Sequence, residues 1–163
     1  MQTELDILGL GAVAVDDLVY VERYPNANSK QDVMHRERQC GGLTATALVA
    51  AARLGTRCAY AGVLGNDDLS TFAIQTMQNE GICLDHLIRQ EGKRPFYSTI
   101  IVGQEGNTRN VFVERTNVVG ADPELPPAPI IRSCKVLFVD HIGMTGMIRA
   151  AGIARQAGIP VVA

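Results

Sequence analysis

The chain has 163 residues, 47% of them hydrophobic and 20% charged, the balance of one ordinary globular domain. A formal net charge of -2 gives no basic footprint, which argues against nucleic acid as a partner. No apolar run approaches the roughly 18 residues of a membrane helix, which argues against a membrane-embedded role.

In chain order, LDILGLG reads as a first strand over residues 5–10, closed by Gly11. Residues 13–21 are rich in β-branched side chains, interrupted by Asp16-Asp17, and Pro25 with the polar NANSKQD then makes a loop. Residues 33–40 mix apolar and charged side chains as an exposed strand does. A helix is expected over 42–54. Leu43, Ala47, Ala50 and Leu54 recur at helical spacing and Leu48, Ala51 and Ala52 fill other faces, so it should be buried on more than one side. Residues 56–64 read as a strand, and 67–79 as a helix stopped at Gly81. Residues 96–102 and 108–114 form a hairpin pattern around Gly103-Gln104-Glu105-Gly106-Asn107. ADPELPPAP, with four prolines, reads as linker or loop. A strand over 136–140, a helix over 145–156 and a strand from Pro160 complete the pattern. The final IPVVA is the kind of run found inside a fold, so the chain is expected to be the front part of something longer.

Two textures are interleaved. Glycine-ended apolar strands alternating with helices predict an α/β fold whose mostly parallel sheet is covered on both faces. The runs at 17–21, 33–40, 96–102 and 108–114 are more polar and lack helices between them, which predicts a small separate sheet drawn from about 17–40 and 96–114. Such a sheet must cover its apolar face with a ligand, the core or a second subunit. MQTELDILGL carries Glu4 and Asp6 and so does not read as a secretory signal. Cys40, Cys58, Cys83 and Cys134 are far apart with no CxxC pair, which suits free thiols and a cytoplasmic location.

Gly9-Leu10-Gly11-Ala12-Val13-Ala14 matches the dinucleotide pattern GxGxxA, but that pattern needs a helix to begin at the glycines. The residues that follow, Val13, Val15, Leu18, Val19 and Val21, are strand material, so an oxidoreductase reading is disfavoured. Asp16-Asp17 allows two readings: a wet turn between strands, or one carboxylate turned into a crevice to hold a polyol hydroxyl. Gly41-Gly42 places bare backbone at a helix start, which serves either close ligand approach or a tight strand-to-helix connection. His35 and His86 lack metal-ligand spacing to each other or to a cysteine, and no metal site is expected. GxxxxGK[ST] is absent.

The combination is more specific than its parts. G11-A-V-A-V-D16, then G41-G42-L-T-A-T46-A-L-V-A-A-A-R-L-G55, then G62-V-L-G65-N-D67 resembles the amino-terminal half of the ribokinase-like (PfkB-type) carbohydrate and nucleoside kinases. The 96–114 hairpin with Gly106 and Arg109, and the unit running from VLFVD to IPVVA, extend the resemblance from about residue 5 to the end.

The resemblance implies a doubly wound α/β domain with a small β-sheet lid that closes over a sugar or nucleoside and, in several members, pairs with a second subunit's lid to form a homodimer. It implies that Asp16 holds substrate hydroxyls, that Gly41 and Gly42 let substrate lie against the helix start, and that Thr46 stands where an asparagine usually binds substrate. Leu43-Thr44 departs from the small or polar residues common after the glycine pair, and Ser70 stands where glycine is usual. Arg109 is a candidate substrate contact from the lid and His141 one from the strand rim, each also readable as an ordinary surface residue. The family's Gly-Ala-Gly-Asp segment, whose amides gather the transferring phosphate and whose Asp is the base, does not occur here. Gly120-Ala121-Asp122-Pro123 is only superficially similar. Catalytic residues, ATP and Mg2+ are therefore expected beyond residue 163, and the chain alone is expected to be inactive. The leading expectation is the substrate-binding half of an ATP-dependent sugar kinase. A nucleoside kinase, favoured if Phe96, Tyr97 and Phe112 stack on a base, and a non-catalytic interaction domain are the alternatives.

Overall fold

The computed structural model describes residues 5–163, so Glu4 lies outside the described residues. From the amino end the strands and helices run β1 (Leu5–Leu10), β2 (Ala14–Val21), β3 (His35–Gly41), α1 (Leu43–Arg53), β4 (Cys58–Tyr60), β5 (Val63–Leu64) and α2 (Asp68–Asn79). They continue with β6 (Ile88–Arg89), β7 (Phe96–Gly103), β8 (Thr108–Glu114), α3 (Ala128–Ile131), β9 (Cys134–Val139), α4 (Met144–Gln156) and β10 (Val161–Val162).

One sheet has the order β10-β9-β1-β4, and every pairing in it is parallel. The alternation along β1 builds two cores. Leu8 and Leu10 turn to one face, where they join Ile131 of α3 and Met147, Ala150 and Ala154 of α4. Ile7 turns to the other, among Ala45 and Leu48 of α1 and Leu69, Ala73 and Met77 of α2. Each fully buried leucine contributes about 1.5–3 kcal/mol, so a strand buried on both faces anchors the layer arrangement. This is the doubly wound α/β architecture that the alternating pattern predicts. Among the described residues no helix is long and apolar enough to cross a membrane.

The second sheet has the order β3-β2-β7-β8, with β2 and β7 parallel and the outer pairings antiparallel. The four polar-textured runs thus form one sheet, distinct from the first. Its two faces differ. Val19 and Val21 are buried on one, whereas Leu18, Ile100, Val111 and Val113 share the other with Asp16, and Val111 and Val113 remain 48% and 41% exposed.

Three expectations change. The 56–64 run is not one strand: β4 belongs to the main sheet, while β5 pairs with β6 and with Gly120. The chain turns at Gly62, where a β-carbon would stand 2.0 Å from the Tyr60 hydroxyl, so no larger residue fits the bend. The proline-rich stretch is not all loop, since α3 begins immediately after Pro127. Asp16 and Asp17 lie inside an uninterrupted β2, which removes the turn reading. After Gly11 the chain enters β2 and not a helix, so GxGxxA lacks the helix that a dinucleotide site needs.

Candidate functional site

The carboxyl ends of β1 and β9 and the amino end of α1 converge on Asp140. Its Oδ2 accepts hydrogen bonds from the Ala12 amide at 2.7 Å and from the Thr44 hydroxyl at 2.8 Å, and its Oδ1 accepts the Ile142 amide at 2.7 Å. One carboxylate thus ties the β1–β2 connection, the first turn of α1 and the β9–α4 loop. Gly11 leaves the room: a β-carbon there would fall 2.4 Å from both the Asp140 carboxylate and the Thr44 hydroxyl. The buried Tyr60 hydroxyl donates to Gly11 O at 2.9 Å, and its burial pushes the phenol pKa far above its ordinary value.

The two glycines before α1 do different work. Gly42 has φ 96, and a β-carbon on it would lie 2.6–2.8 Å from backbone atoms of Ala12, Val13 and Ala14. Its bareness serves the tight connection. Gly41 has ordinary backbone, and a β-carbon on it would instead meet Asp16 Oδ2 at 2.9 Å. No side chain caps the α1 amino end, and of its first-turn amides that of Ala45 donates to Ala12 O at 3.3 Å. No hydrogen bond or ion pair from a described residue reaches the Asp16 carboxylate.

Around this point lie two openings. A cleft of about 210 Å3 is lined by Ala12, Gly42, Leu43, Phe96, Ser98 and His141 among others. A larger groove, about 730 Å3, runs along the lid from Asp16 and Gln39 past Leu18 and Ile100 to Tyr20 and Arg109. Asp16 and Ser98 are directly paired across β2 and β7, so the cleft and groove meet at one rung of the lid sheet.

The expected site residues are distributed accordingly. Asp16 and Gly41 are in direct apposition, and Gly42 and His141 line the same cleft. Arg109 faces Val102, four residues beyond Ser98 and roughly 13 Å along the strand, at the far end of the groove. Thr46 lines a third opening of about 460 Å3 with Cys40, Val49 and Phe72, which shares only Gln39 with the Asp16 groove. Burial and the nearby Asp16 charge push the Cys40 thiol up to about 11.

Sequence reasoning missed Ser98, Thr44 and the tie made by Asp140. Ser98 is nearly fully buried beside Asp16, but only the β2–β7 register reveals it. Two threonines, Thr44 and Thr46, in a mostly apolar helix start were the available signal, and the sequence does not tell the buried Thr44 from the exposed Thr46.

On the back of the lid, Asp17 points away from the cleft. Its Oδ1 accepts Arg38 Nε at 2.6 Å, and its Oδ2 accepts Arg38 Nη2 at 2.7 Å and the Tyr97 hydroxyl at 2.7 Å. The Arg38 guanidinium, and after it the Tyr97 hydroxyl, hold the Asp17 carboxyl below its ordinary pKa against the effect of burial.

This arrangement has known relatives. The family model described as pfkB family carbohydrate kinase matches residues 6–163. Mouse ketohexokinase is 26% identical over 116 residues, which are 71% of this chain and 39% of that protein. A nucleoside kinase of Methanothermobacter thermautotrophicus is 20% identical over 158 residues, 97% of this chain and 51% of that protein. The structure of Arabidopsis thaliana ribokinase complexed with ribose and ATP superposes with a TM-score of 0.82 at 16% identity, covering 98% of this chain and 53% of that one. The chain therefore spans about half the length of such relatives or less. With its two-sided sheet, its separate lid and a family match along nearly its whole length, the chain belongs to the pfkB family of carbohydrate kinases.

Proposed function

We propose that this chain is the acceptor side and lid of an ATP-dependent sugar kinase, which transfers the γ-phosphoryl group to a sugar hydroxyl. The observation that carries the reading is the apposition of the Asp16 carboxylate, without a partner among the described residues, with Gly41 and the uncapped start of α1. A carboxylate so placed accepts hydrogen bonds from hydroxyls, while the α1 amides ahead of Ala45, whose own amide is taken by Ala12 O, are available to donate to sugar oxygens. Ser98 and His141 add polar groups at the same cleft, and Ile100 and Val113 give the lid an apolar surface for the ring's CH face. ATP and Mg2+ are assigned to the part of the relatives that this chain does not span. No segment here matches the Gly-rich phosphate clamp, and Asp140 is committed to three internal donors.

One feature bears on sugar against nucleoside. Of Phe96, Tyr97 and Phe112, only Phe96 lines the cleft, since Tyr97 and Phe112 lie on the opposite face of the sheet, and Tyr20, which lines the far part of the groove, is already stacked on His35. The lid's outer strand β8 presents Val111 and Val113 on the cleft face, which supports closure over substrate, pairing with a second copy, or both.

The test is ATP consumption by the complete gene product with D-fructose, D-ribose, other pentoses and hexoses, and a set of nucleosides, alongside residues 1–163 alone. Sugar-dependent turnover by the complete protein and none by the short chain is expected. Turnover with nucleosides alone, or turnover by the short chain, overturns the reading. Sedimentation of the complete protein tests the lid dimer.

A further inference from the structure

Asp16 and Asp17 are consecutive in an extended strand and therefore project to opposite faces of the lid. The two carboxylates are in contrasting states. The Asp16 carboxylate has no hydrogen bond or ion pair to a described residue, whereas both oxygens of Asp17 are engaged by Arg38 on β3 and by Tyr97 on β7. Asp17 thus spans the three strands β3, β2 and β7 at the level of Asp16. The tie continues into the core. The Arg38 guanidinium lies 5.9 Å from the ring centroid of Phe72 on α2. The Arg94 guanidinium lies 6.0 Å from the Tyr97 ring centroid and 3.6 Å from Asp67, the residue that caps α2. The back of the lid is therefore braced on one helix of the core by two arginines.

We propose that Asp17 is a positioning residue: through Arg38 and Tyr97 it fixes the twist of β2 so that Asp16, on the other face, stays aimed at Gly41 and the start of α1. The proposal rests on the reading of Asp16 as the hydroxyl-holding group. Its physical basis is preorganisation. A side chain with no partner of its own is directed only by its backbone, and the backbone at residue 16 is held by the bidentate pair one residue away. A positioned carboxylate binds a hydroxyl without first losing rotational freedom, so loosening the strand weakens sugar binding even though Asp17 never touches the sugar.

The experiment uses the complete gene product, with KM measured for the preferred sugar of the panel and for ATP, and thermal midpoints recorded. Asp17→Asn is expected to raise the sugar KM about tenfold, the size of one charge-assisted hydrogen bond, with the ATP KM unchanged. Tyr97→Phe, which keeps the ring and removes one donor, should shift it in the same direction by about threefold and serves if Asp17→Asn folds poorly. Asp16→Asn alone should raise the sugar KM at least as much, and Asp16→Asn/Asp17→Asn should be no worse than Asp16→Asn. A purely structural Asp17 would instead lower the midpoint and kcat, leave the sugar KM alone, or add its effect to that of Asp16→Asn; each of these overturns the proposal and leaves the Asp16 reading standing. An inert Asp16→Asn, or no sugar-dependent turnover at all, removes the Asp16 reading and the proposal with it.

Discussion

A β-carbon added to Gly41 would sit 2.9 Å from Oδ2 of Asp16, so the absence of a side chain at one residue makes room for the charge of the other. Gly41→Ala is compatible with its backbone and should leave the thermal midpoint nearly unchanged, yet push the Asp16 carboxylate aside. The expected result is a rise in sugar KM of about tenfold, as for a lost charge-assisted hydrogen bond. Gly42→Ala should behave differently. With φ 96 and backbone within 2.6 Å of the new carbon, it should cost about 2 kcal/mol or more of stability. Equal losses of stability in the two variants would show that both glycines are merely steric.

Asp140 should matter for folding more than for chemistry. Asp140→Ala leaves the Ala12 and Ile142 amides without their acceptor, a cost of roughly 1–3 kcal/mol for each donor left buried, while the Thr44 hydroxyl keeps the Leu10 carbonyl at 3.2 Å. Thr44→Val removes one donor and should cost about 1 kcal/mol. Denaturant unfolding of both single variants and the double variant should give a coupling of roughly 0.5–3 kcal/mol. Simple additivity would show that Thr44 and Asp140 act independently.

The ion cluster at the start of β1 predicts a pH signature. Hydrogen bonds from Arg57, then its backbone amide, and from Lys135 hold the Asp6 carboxyl well below the usual carboxylate range. A depressed folded pKa means that the stabilisation is complete above the unfolded pKa, about 3.9, and is lost as pH falls through the folded value. The midpoint difference between wild type and Asp6→Asn should therefore be largest near neutral pH and shrink progressively below about pH 4. A difference that is flat across this range would contradict the assignment.

Cys40 should be a slow thiol despite lying beside a cleft. Burial first, and the Asp16 charge second, raise it to about 11, so at pH 8 the thiolate is on the order of 0.1% of the population. Alkylation by iodoacetamide, followed residue by residue by mass spectrometry, should leave Cys40 largely unmodified at pH 8. Asp16→Asn should accelerate it modestly. Rapid labelling in the wild type would mean that the cleft is more open than described.

The layered core was legible because its signals are local. Asp67 accepts the Ser70 amide as a helix cap should. The apolar pattern of α1 misled: the helix is buried on one face only, through Thr44, Ala45 and Leu48, while Leu43, Ala50 and Leu54, expected inside, are exposed because the sheet covers a single side of the helix. The lid was legible as four polar strands, although the pattern could not say that Val19 and Val21 face away from Ile100 and Val111. What failed was what depends on pairing over distance. The break at Gly62 follows from Gly120 and Ile88 claiming the next backbone groups, and the glycine within 56–64 was its one local signal. At the site, Asp16 and the glycines could be named from spacing. Ser98 required the parallel register of β2 with β7, and the role of Asp140 required donors that lie 96 and 128 residues away in sequence.

The position of β1 at the middle of its sheet also sets a schedule for synthesis. Its first neighbour, β4, is complete by Tyr60, but its other neighbour requires Val139, paired with Leu10. At about 5–20 residues per second, the 79 residues from Tyr60 to Val139 take roughly 4–16 s to be made. Throughout that interval one edge of the central strand is open, while the β2–β3 antiparallel pair needs nothing later than Gly41. The lid's first pair is thus available to fold well before the floor it closes onto, and a nascent chain halted between β4 and β9 presents an unpaired apolar strand edge to any chaperone near the ribosome exit.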